Sequence, residues 1–308
     1  LPVISALKEL SLEVMPRSPF RLDLTAWALK RRPENAVDLW DGRTYRRALV
    51  IDGTAVQLAL QMSGSRLLQV TAQRPQGLPA VPEAVSRFLQ HSLGIDTDLK
   101  PFYRVAETST ELAPLARKFR GLKPVRFPTL FEAFVNAIVC QQLSLHVGIM
   151  LLNRLTERCG LQSAGSAKLR AFPRPEDIAG LRAASLRALG LNHNKARALK
   201  EISQAFLDQE LDPEQLSALP DQELHDRLLA IRGIGPWSAR YIMLRGLGRL
   251  SMFPLTDVGT RNILAEYLNA QDLTEQQLAK IVDRWTPYAG FLYFHLLLHK
   301  LSSSGKLL

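Results

Sequence analysis

The stretch Leu229-Ala230-Ile231-Arg232-Gly233-Ile234-Gly235-Pro236-Trp237-Ser238-Ala239-Arg240-Tyr241 decides how this chain folds. An amphipathic run from about Asp221 to Ala230 leads into it, and a second helical run starts at Pro236. Two glycines one residue apart let the backbone take positive φ without a Cβ clash. Proline suits the first turn of a helix, where its missing N–H has no intrahelical partner to lose. The stretch therefore predicts helix, tight hairpin, helix. The free amides of the hairpin and the positive end of the second helix then face one way, as a site for a phosphate oxygen. An ordinary turn between packed helices would use the same residues, so the hairpin needs a second signal.

That signal lies downstream, in Met252-Phe253-Pro254-Leu255-Thr256-Asp257-Val258-Gly259-Thr260. Asp257 stands at the start of a further predicted helix, about twenty residues past the hairpin. A hairpin followed at this spacing by such an Asp resembles the helix-hairpin-helix DNA glycosylase superfamily. The nearest likeness is to its alkylpurine branch, the 3-methyladenine DNA glycosylase II type. The likeness runs from Phe127 to Lys300, more loosely over the residues before, and includes Phe172-Pro173-Arg174-Pro175-Glu176-Asp177-Ile178-Ala179 and Leu186-Arg187-Ala188-Leu189-Gly190-Leu191.

Composition agrees with a nucleic-acid partner without requiring one. The 308 residues carry 39 Lys+Arg against 29 Asp+Glu, a net charge of +10. Such an excess favours polyanionic partners. Hydrophobic residues make up 46%, typical of a globular protein, and no apolar run reaches the length of a membrane span. The opening Leu1-Pro2-Val3 shows no targeting signal. Cys140 and Cys159 are the only cysteines, too few for a disulfide scaffold or for a four-cysteine iron–sulfur cluster. An intracellular monomer, cytoplasmic or nuclear, is expected.

The texture of the chain changes near residue 112. Before it, Leu10–Val14, Tyr45–Ile51, Ala55–Met62 and Arg66–Ala72 read as strands, with Asp52-Gly53 and Ser63-Gly64 marking tight hairpins. Leu22–Arg32 and Val81–Leu93 read as helices. Residues 1–112 are expected to form a small antiparallel sheet with two helices. Residues 113–308 read as helical almost throughout, beginning at the T-x-x-E capping box of Thr129 and Glu132. The predicted fold is α+β: the sheet domain, then an all-α two-lobed helix-hairpin-helix core with a cleft between the lobes.

The resemblance implies roles for particular residues. Asp257 becomes the catalytic carboxylate, which stabilises positive charge growing on the sugar as an N-glycosidic bond breaks. The residue alone would equally serve as a helix cap. Trp237 stands where bifunctional relatives carry a nucleophilic Lys, which implies base removal without strand cleavage. Trp237, Tyr241 and Tyr288 are implied to line the base pocket, where aromatic faces attract a cationic base; core packing is the other role open to each. Gln142 matches the position of the residue that wedges into the duplex when a base is flipped. Gln141 and Gln142 would also serve merely to satisfy backbone groups at a helix break. The amides of Gly233, Gly235 and Ala239 are implied phosphate contacts, and the carbonyls of Leu229, Ile231 and Ile234 a seat for a Na or K ion. No cofactor is required. Arg232, Arg240, His193, Lys195 and Arg197 are further candidates for phosphate contact, with a solvated charged face the default reading of each. His295 and His299 have a zinc-ligand spacing, but only leucines lie between them and no third ligand is near.

The activity implied is hydrolytic removal of alkylated purines, of the 3-methyladenine or 7-methylguanine type, from damaged double-stranded DNA, leaving an abasic site. A glycosylase for an oxidised or deaminated base, and a noncatalytic helix-hairpin-helix DNA-binding protein, are the alternatives; the second has no need of Asp257. A basic RNA-associated protein would have no need of it either.

Overall fold

In a computed structural model, residues 8–74, 77–166, 169–270 and 273–307 are described, so the opening Leu1-Pro2-Val3 lies outside them. The chain opens with strand β1 (Lys8–Val14) and helix α1 (Leu22–Lys30), then β2 (Leu39–Trp40), β3 (Thr44–Ile51), β4 (Thr54–Ser63) and β5 (Leu67–Arg74). These strands form one antiparallel sheet in the order β1-β5-β4-β3-β2. The Asp-Gly pair turns β3 into β4 with φ of 47° at Asp52 and 72° at Gly53, the two positive values that a two-residue hairpin of the right twist demands. Side chains alternate across the sheet, so Val56, Leu58 and Leu60 of β4 and Leu68, Val70 and Ala72 of β5 are buried together.

Among the described residues, helices follow: α2 (Val81–His91), α3 (Lys100–Glu107), α4 (Leu112–Lys118), α5 (Leu130–Cys140), α6 (Leu145–Cys159), α7 (Pro175–Ala179), α8 (Ala183–Ala188) and α9 (His193–Leu207). The last six are α10 (Pro213–Ala218), α11 (Asp221–Leu229), α12 (Pro236–Arg245), α13 (Val258–Tyr267), α14 (Glu275–Asp283) and α15 (Ala289–Ser303). The expected α+β class holds. None of the helices among the described residues is long and apolar enough to cross a membrane.

The cores are not divided in chain order. One apolar cluster joins the sheet and α1–α4 to the C-terminal helices, with Leu58, Phe102, Trp285 and Phe291 all within it. A second cluster holds α5, α6 and α9–α12. The first core thus crosses the expected boundary at residue 112. The chain enters the second core at Val37, between α1 and β2, and again from Phe127 to Met243.

A buried ionic knot ties the sheet to α5. Arg47 donates to Asp38 at 2.6 Å and to Glu132 at 2.5 Å, and Tyr45 donates its hydroxyl to Asp38 at 2.6 Å. Arg47, Asp38 and Glu132 are at most 3% exposed. This corrects the expected capping box. Thr129 accepts from the Glu132 amide at 3.1 Å, but the Glu132 carboxylate is committed to Arg47 and does not reach back to Thr129.

Candidate active site

The hairpin forms as its sequence requires, with one correction. Only Gly233 adopts positive φ, at 86°, and a Cβ there would lie 2.9 Å from the Cβ of Ala198 on α9. Gly235 is extended, at φ −98° and ψ 179°, a conformation open to any residue. A Cβ on Gly235 would meet nothing within 4 Å. Glycine is thus needed at 233 for backbone and packing, whereas at 235 the protein interior does not demand it. Pro236 occupies the first turn of α12, and Gly233 and Gly235 donate no amide hydrogen bond among the described residues. The Ala239 amide, by contrast, is spent on the Gly235 carbonyl at 2.9 Å. It is the first intrahelical bond of α12, so Ala239 is removed from the expected phosphate contacts. Of the three carbonyls expected to hold a cation, that of Ile231 accepts the Ile234 amide at 3.1 Å.

Asp257 is the N-cap of α13. Its Oδ2 accepts from the Thr260 amide at 3.1 Å and from the Thr260 hydroxyl at 2.5 Å. The two roles open to this residue are therefore compatible. One carboxylate oxygen locks the side chain to the helix start, and Oδ1 is left without a hydrogen bond among the described residues. Asp257, Trp237 and Tyr241 all line one cleft of about 870 Å³, beside Gly233, Gly235 and Gln142. Trp237 and Tyr241, one turn apart on α12, stack with ring centroids 5.2 Å apart and planes 23° apart.

Tyr288 does not join them. It precedes α15 and sets its ring edge against Phe102 of α3, with centroids 5.6 Å apart, inside the first core. The aromatic that α15 supplies to the cleft is Tyr293, whose ring meets Tyr241 edge-on at 6.4 Å. Burial pushes the Tyr293 hydroxyl well above its ordinary pKa, so it is a neutral wall. The sequence carries little signal for this choice, because α15 is apolar nearly all round and its pattern does not say which face meets the cleft.

Behind Tyr241 stands Arg31, a buried guanidinium that donates to the Tyr241 oxygen at 2.9 Å and to Asn136 at 2.7 Å. Arg31 and Arg245 lie 5.2 and 4.6 Å from the ring centroid of Phe127. Tyr241 is thereby fixed from a point outside the cleft.

Gln142 sits in the break between α5 and α6, exposed, with φ of 55°. Its neighbour Gln141 is tethered, donating to the Gly233 carbonyl at 2.6 Å and to Ser238 Oγ at 2.7 Å. Gln141 thus satisfies a backbone carbonyl, one of the two roles open to the pair, and Gln142 makes no such bond among the described residues. Lys195 is not part of a solvated face. It is 8% exposed and donates to the carbonyls of Val139 at 2.8 Å and Gln141 at 2.7 Å. Arg232 and Arg197 do lie at the surface, where both approach Glu201. His295 is buried among Phe102, Phe119 and Phe291 with Nδ1 3.0 Å from the Phe291 carbonyl, and no metal-holding group of three or more His, Cys, Asp or Glu occurs among the described residues.

The cleft thus joins a hairpin whose two glycine amides have no partner among the described residues, a capped Asp and a stacked aromatic pair. Residues 135–287 match the family model of the HhH-GPD superfamily of base excision DNA repair proteins. These residues form a domain of the helix-hairpin-helix DNA glycosylase superfamily, and the relatives below support its alkylpurine branch. It is 29% identical over 216 residues to a DNA-3-methyladenine glycosylase of Bacillus subtilis, covering 70% of this chain and 71% of that one. The 3-methyladenine DNA-glycosylase of Archaeoglobus fulgidus superposes with a TM-score of 0.81 at 26% identity, over 94% of this chain and 98% of that one. The fold is also that of a Clostridium acetobutylicum 8-oxoguanine glycosylase/lyase solved on double-stranded DNA, with a TM-score of 0.75 at 17% identity over 97% of this chain and 98% of that one.

Proposed function

We propose that this base-excision DNA glycosylase is monofunctional and removes alkylated purines from duplex DNA. The observation that carries the proposal is that Asp257 and the Trp237–Tyr241 stack line one cleft, together with the hairpin glycines. A purine bearing an extra alkyl group on a ring nitrogen is cationic and leaves readily. Once flipped from the duplex, such a base stacks on electron-rich rings, a cation–π contact of about 1 kcal/mol or more when desolvated. As the bond from C1′ to the base nitrogen breaks, its electron pair goes to the base and C1′ gains positive charge. Oδ1 of Asp257, without a hydrogen bond among the described residues, stabilises that charge and orients the attacking water, which gives its oxygen to C1′ and loses a proton.

Trp237 has no amine, so the hairpin supplies no Schiff-base nucleophile and the product is an abasic site. Gly233 and Gly235 offer their amides to a phosphate, and Gln142, exposed and without a hydrogen bond among the described residues, enters the gap left by the flipped base. A Na or K ion at the carbonyls of Leu229, Ile231 and Ile234 fits the donor chemistry, neutral oxygens on one turn; the Ile231 oxygen keeps a second lone pair for it. Such an ion would add positive charge beneath the phosphate. The protein acts as a monomer.

Incubation with methylated duplex DNA tests the reading. Free methylated purines should appear by chromatography, with strand breaks only after alkali. Breaks without alkali would refute the monofunctional assignment, and an absence of released purine would refute the substrate class.

A further inference from the structure

Gln141 and Lys195 lie in the walls of the cleft, yet neither has a part in the chemistry above. Their bonds form a continuous chain across three separate elements. Lys195 is in the first turn of α9, fixed there by Asn192, whose side chain accepts the Lys195 amide at 2.9 Å. Its ammonium caps the last turn of α5 through the carbonyls of Val139 and Gln141. Those carbonyls have no intrahelical partners, and a cation suits the negative end of a helix. From the same residue, the Gln141 amide group reaches the hairpin at the Gly233 carbonyl and α12 at Ser238 Oγ. Ser238 is 1% exposed, so this contact sits at the buried root of α12.

Two features show that the chain of bonds is costly to keep. A lysine is rarely buried, because taking its charge from water is expensive unless the site satisfies it. The residue next to the tether, Gln142, holds a left-handed φ of 55° that a non-glycine side chain seldom adopts. Simple closure of a helix end would need neither: glycine or water would serve.

We propose that Lys195 and Gln141 are positioning residues that lock the duplex-entering loop at Gln142 to the phosphate-binding hairpin, so that gripping the backbone sets the depth at which Gln142 meets the base stack. The proposal rests on the glycosylase reading for its DNA geometry. Gln141 is the pivot, fixed at its main chain by α9 and at its side chain by α12. Without the Gln141 amide the hairpin still binds phosphate and the loop still exists, but each is free to move relative to the other. Misplacement on the scale of an ångström is enough to cost about a hundredfold in a positioned reaction.

The test uses the full chain with Gln141→Leu, Lys195→Met and Lys195→Arg. Three quantities are measured for each: affinity for undamaged duplex, the fluorescence rise of a 2-aminopurine placed beside an alkylated base, and the single-turnover rate of base release. Gln141→Leu should bind undamaged duplex within about threefold of wild type while flipping fluorescence and release fall roughly ten- to hundredfold. Lys195→Met should follow it, and Lys195→Arg, which can still reach the two carbonyls, should recover most of the loss. Gln141 is half-buried, so its variant keeps the test in force if Lys195→Met fails to fold. Wild-type flipping and release in a folded Gln141→Leu protein would overturn the proposal. So would an equal loss of duplex binding and release, which would make the tether a part of the hairpin alone. If the wild type releases no alkylated base, the substrate reading fails; a fluorescence rise that still depends on Gln141 would leave the lock standing.

Discussion

Replacing each hairpin glycine by alanine separates what the fold requires from what the DNA requires. At Gly235 the backbone is extended and a methyl group meets no atom within 4 Å. Gly→Ala at a compatible conformation stabilises by about 0.4–1 kcal/mol through the unfolded chain. Position 235 is also the N-cap of α12, where alanine is poorer than glycine by a similar amount. The two effects offset, so Gly235→Ala should unfold within about 0.5 kcal/mol of wild type. Its cost should appear on DNA. A methyl group keeps a phosphate from close approach to the amide, and a charge-assisted hydrogen bond is worth about 1.5–3 kcal/mol, or roughly a ten- to hundredfold loss of affinity. Gly233→Ala should lose stability as well as its phosphate contact. The left-handed backbone at 86° costs about 1–2 kcal/mol for an L-residue, and the new methyl presses on Ala198 at 2.9 Å. The assays are guanidinium denaturation and fluorescence anisotropy with a short duplex at fixed salt. Wild-type affinity in Gly235→Ala would refute the assignment of this amide to a phosphate.

Other perturbations probe the rest of the site and the frame that holds it. Asp257→Asn keeps a good helix cap, since asparagine accepts the Thr260 amide as well as aspartate does; base release should fall at least about a thousandfold with duplex affinity unchanged, and a variant that keeps near-wild-type release in single-turnover assays would remove Asp257 from the chemistry. Trp237→Ala should slow release of cationic bases while undamaged duplex binds as before; equal losses in both would assign Trp237 to packing. Arg47→Met strands the Asp38 and Glu132 carboxylates in the interior, at a cost of about 3–5 kcal/mol in denaturant titrations; a loss below about 1 kcal/mol would refute the ionic knot. Burial pushes the His295 pKa down from 6.5 to about 4, so between those values the unfolded chain binds a proton that the folded one does not. Stability should therefore fall as pH drops through that window, by about 2–3 kcal/mol from this residue by pH 4.5. His295→Phe should show a shallower acid loss than wild type over the same range, and an identical slope would refute the assignment.

Which parts of this protein were legible in its sequence follows from how local the determining forces are. The Asp-Gly turn after β3 is decided within a few residues, and it forms as read. The hairpin and Asp257 were legible for the same reason: Gly233 and Pro236 constrain their own backbone, and an Asp at a helix start caps its own helix. The misreadings share a different cause. Glu132 stands at a capping-box spacing, but a buried Arg47 eighty-five residues away outbids the Thr129 amide for its carboxylate, as a charged donor must. Tyr288 at the start of α15 and Tyr293 within it lie close in sequence, and Tyr288 packs on Phe102 of α3, a helix that the sequence pattern did not disclose, while Tyr293 meets Tyr241. Lys195 looks like any surface lysine until the end of α5 is laid against it. The pattern has a consequence for how the site works. The groups proposed to touch DNA and base are set by local sequence, whereas Arg31, Gln141 and Lys195, which fix where those groups stand, act from distant elements. Reactive groups alone are thus a weak guide to selectivity here; the depth and spacing of the cleft are held by residues that need never contact the substrate.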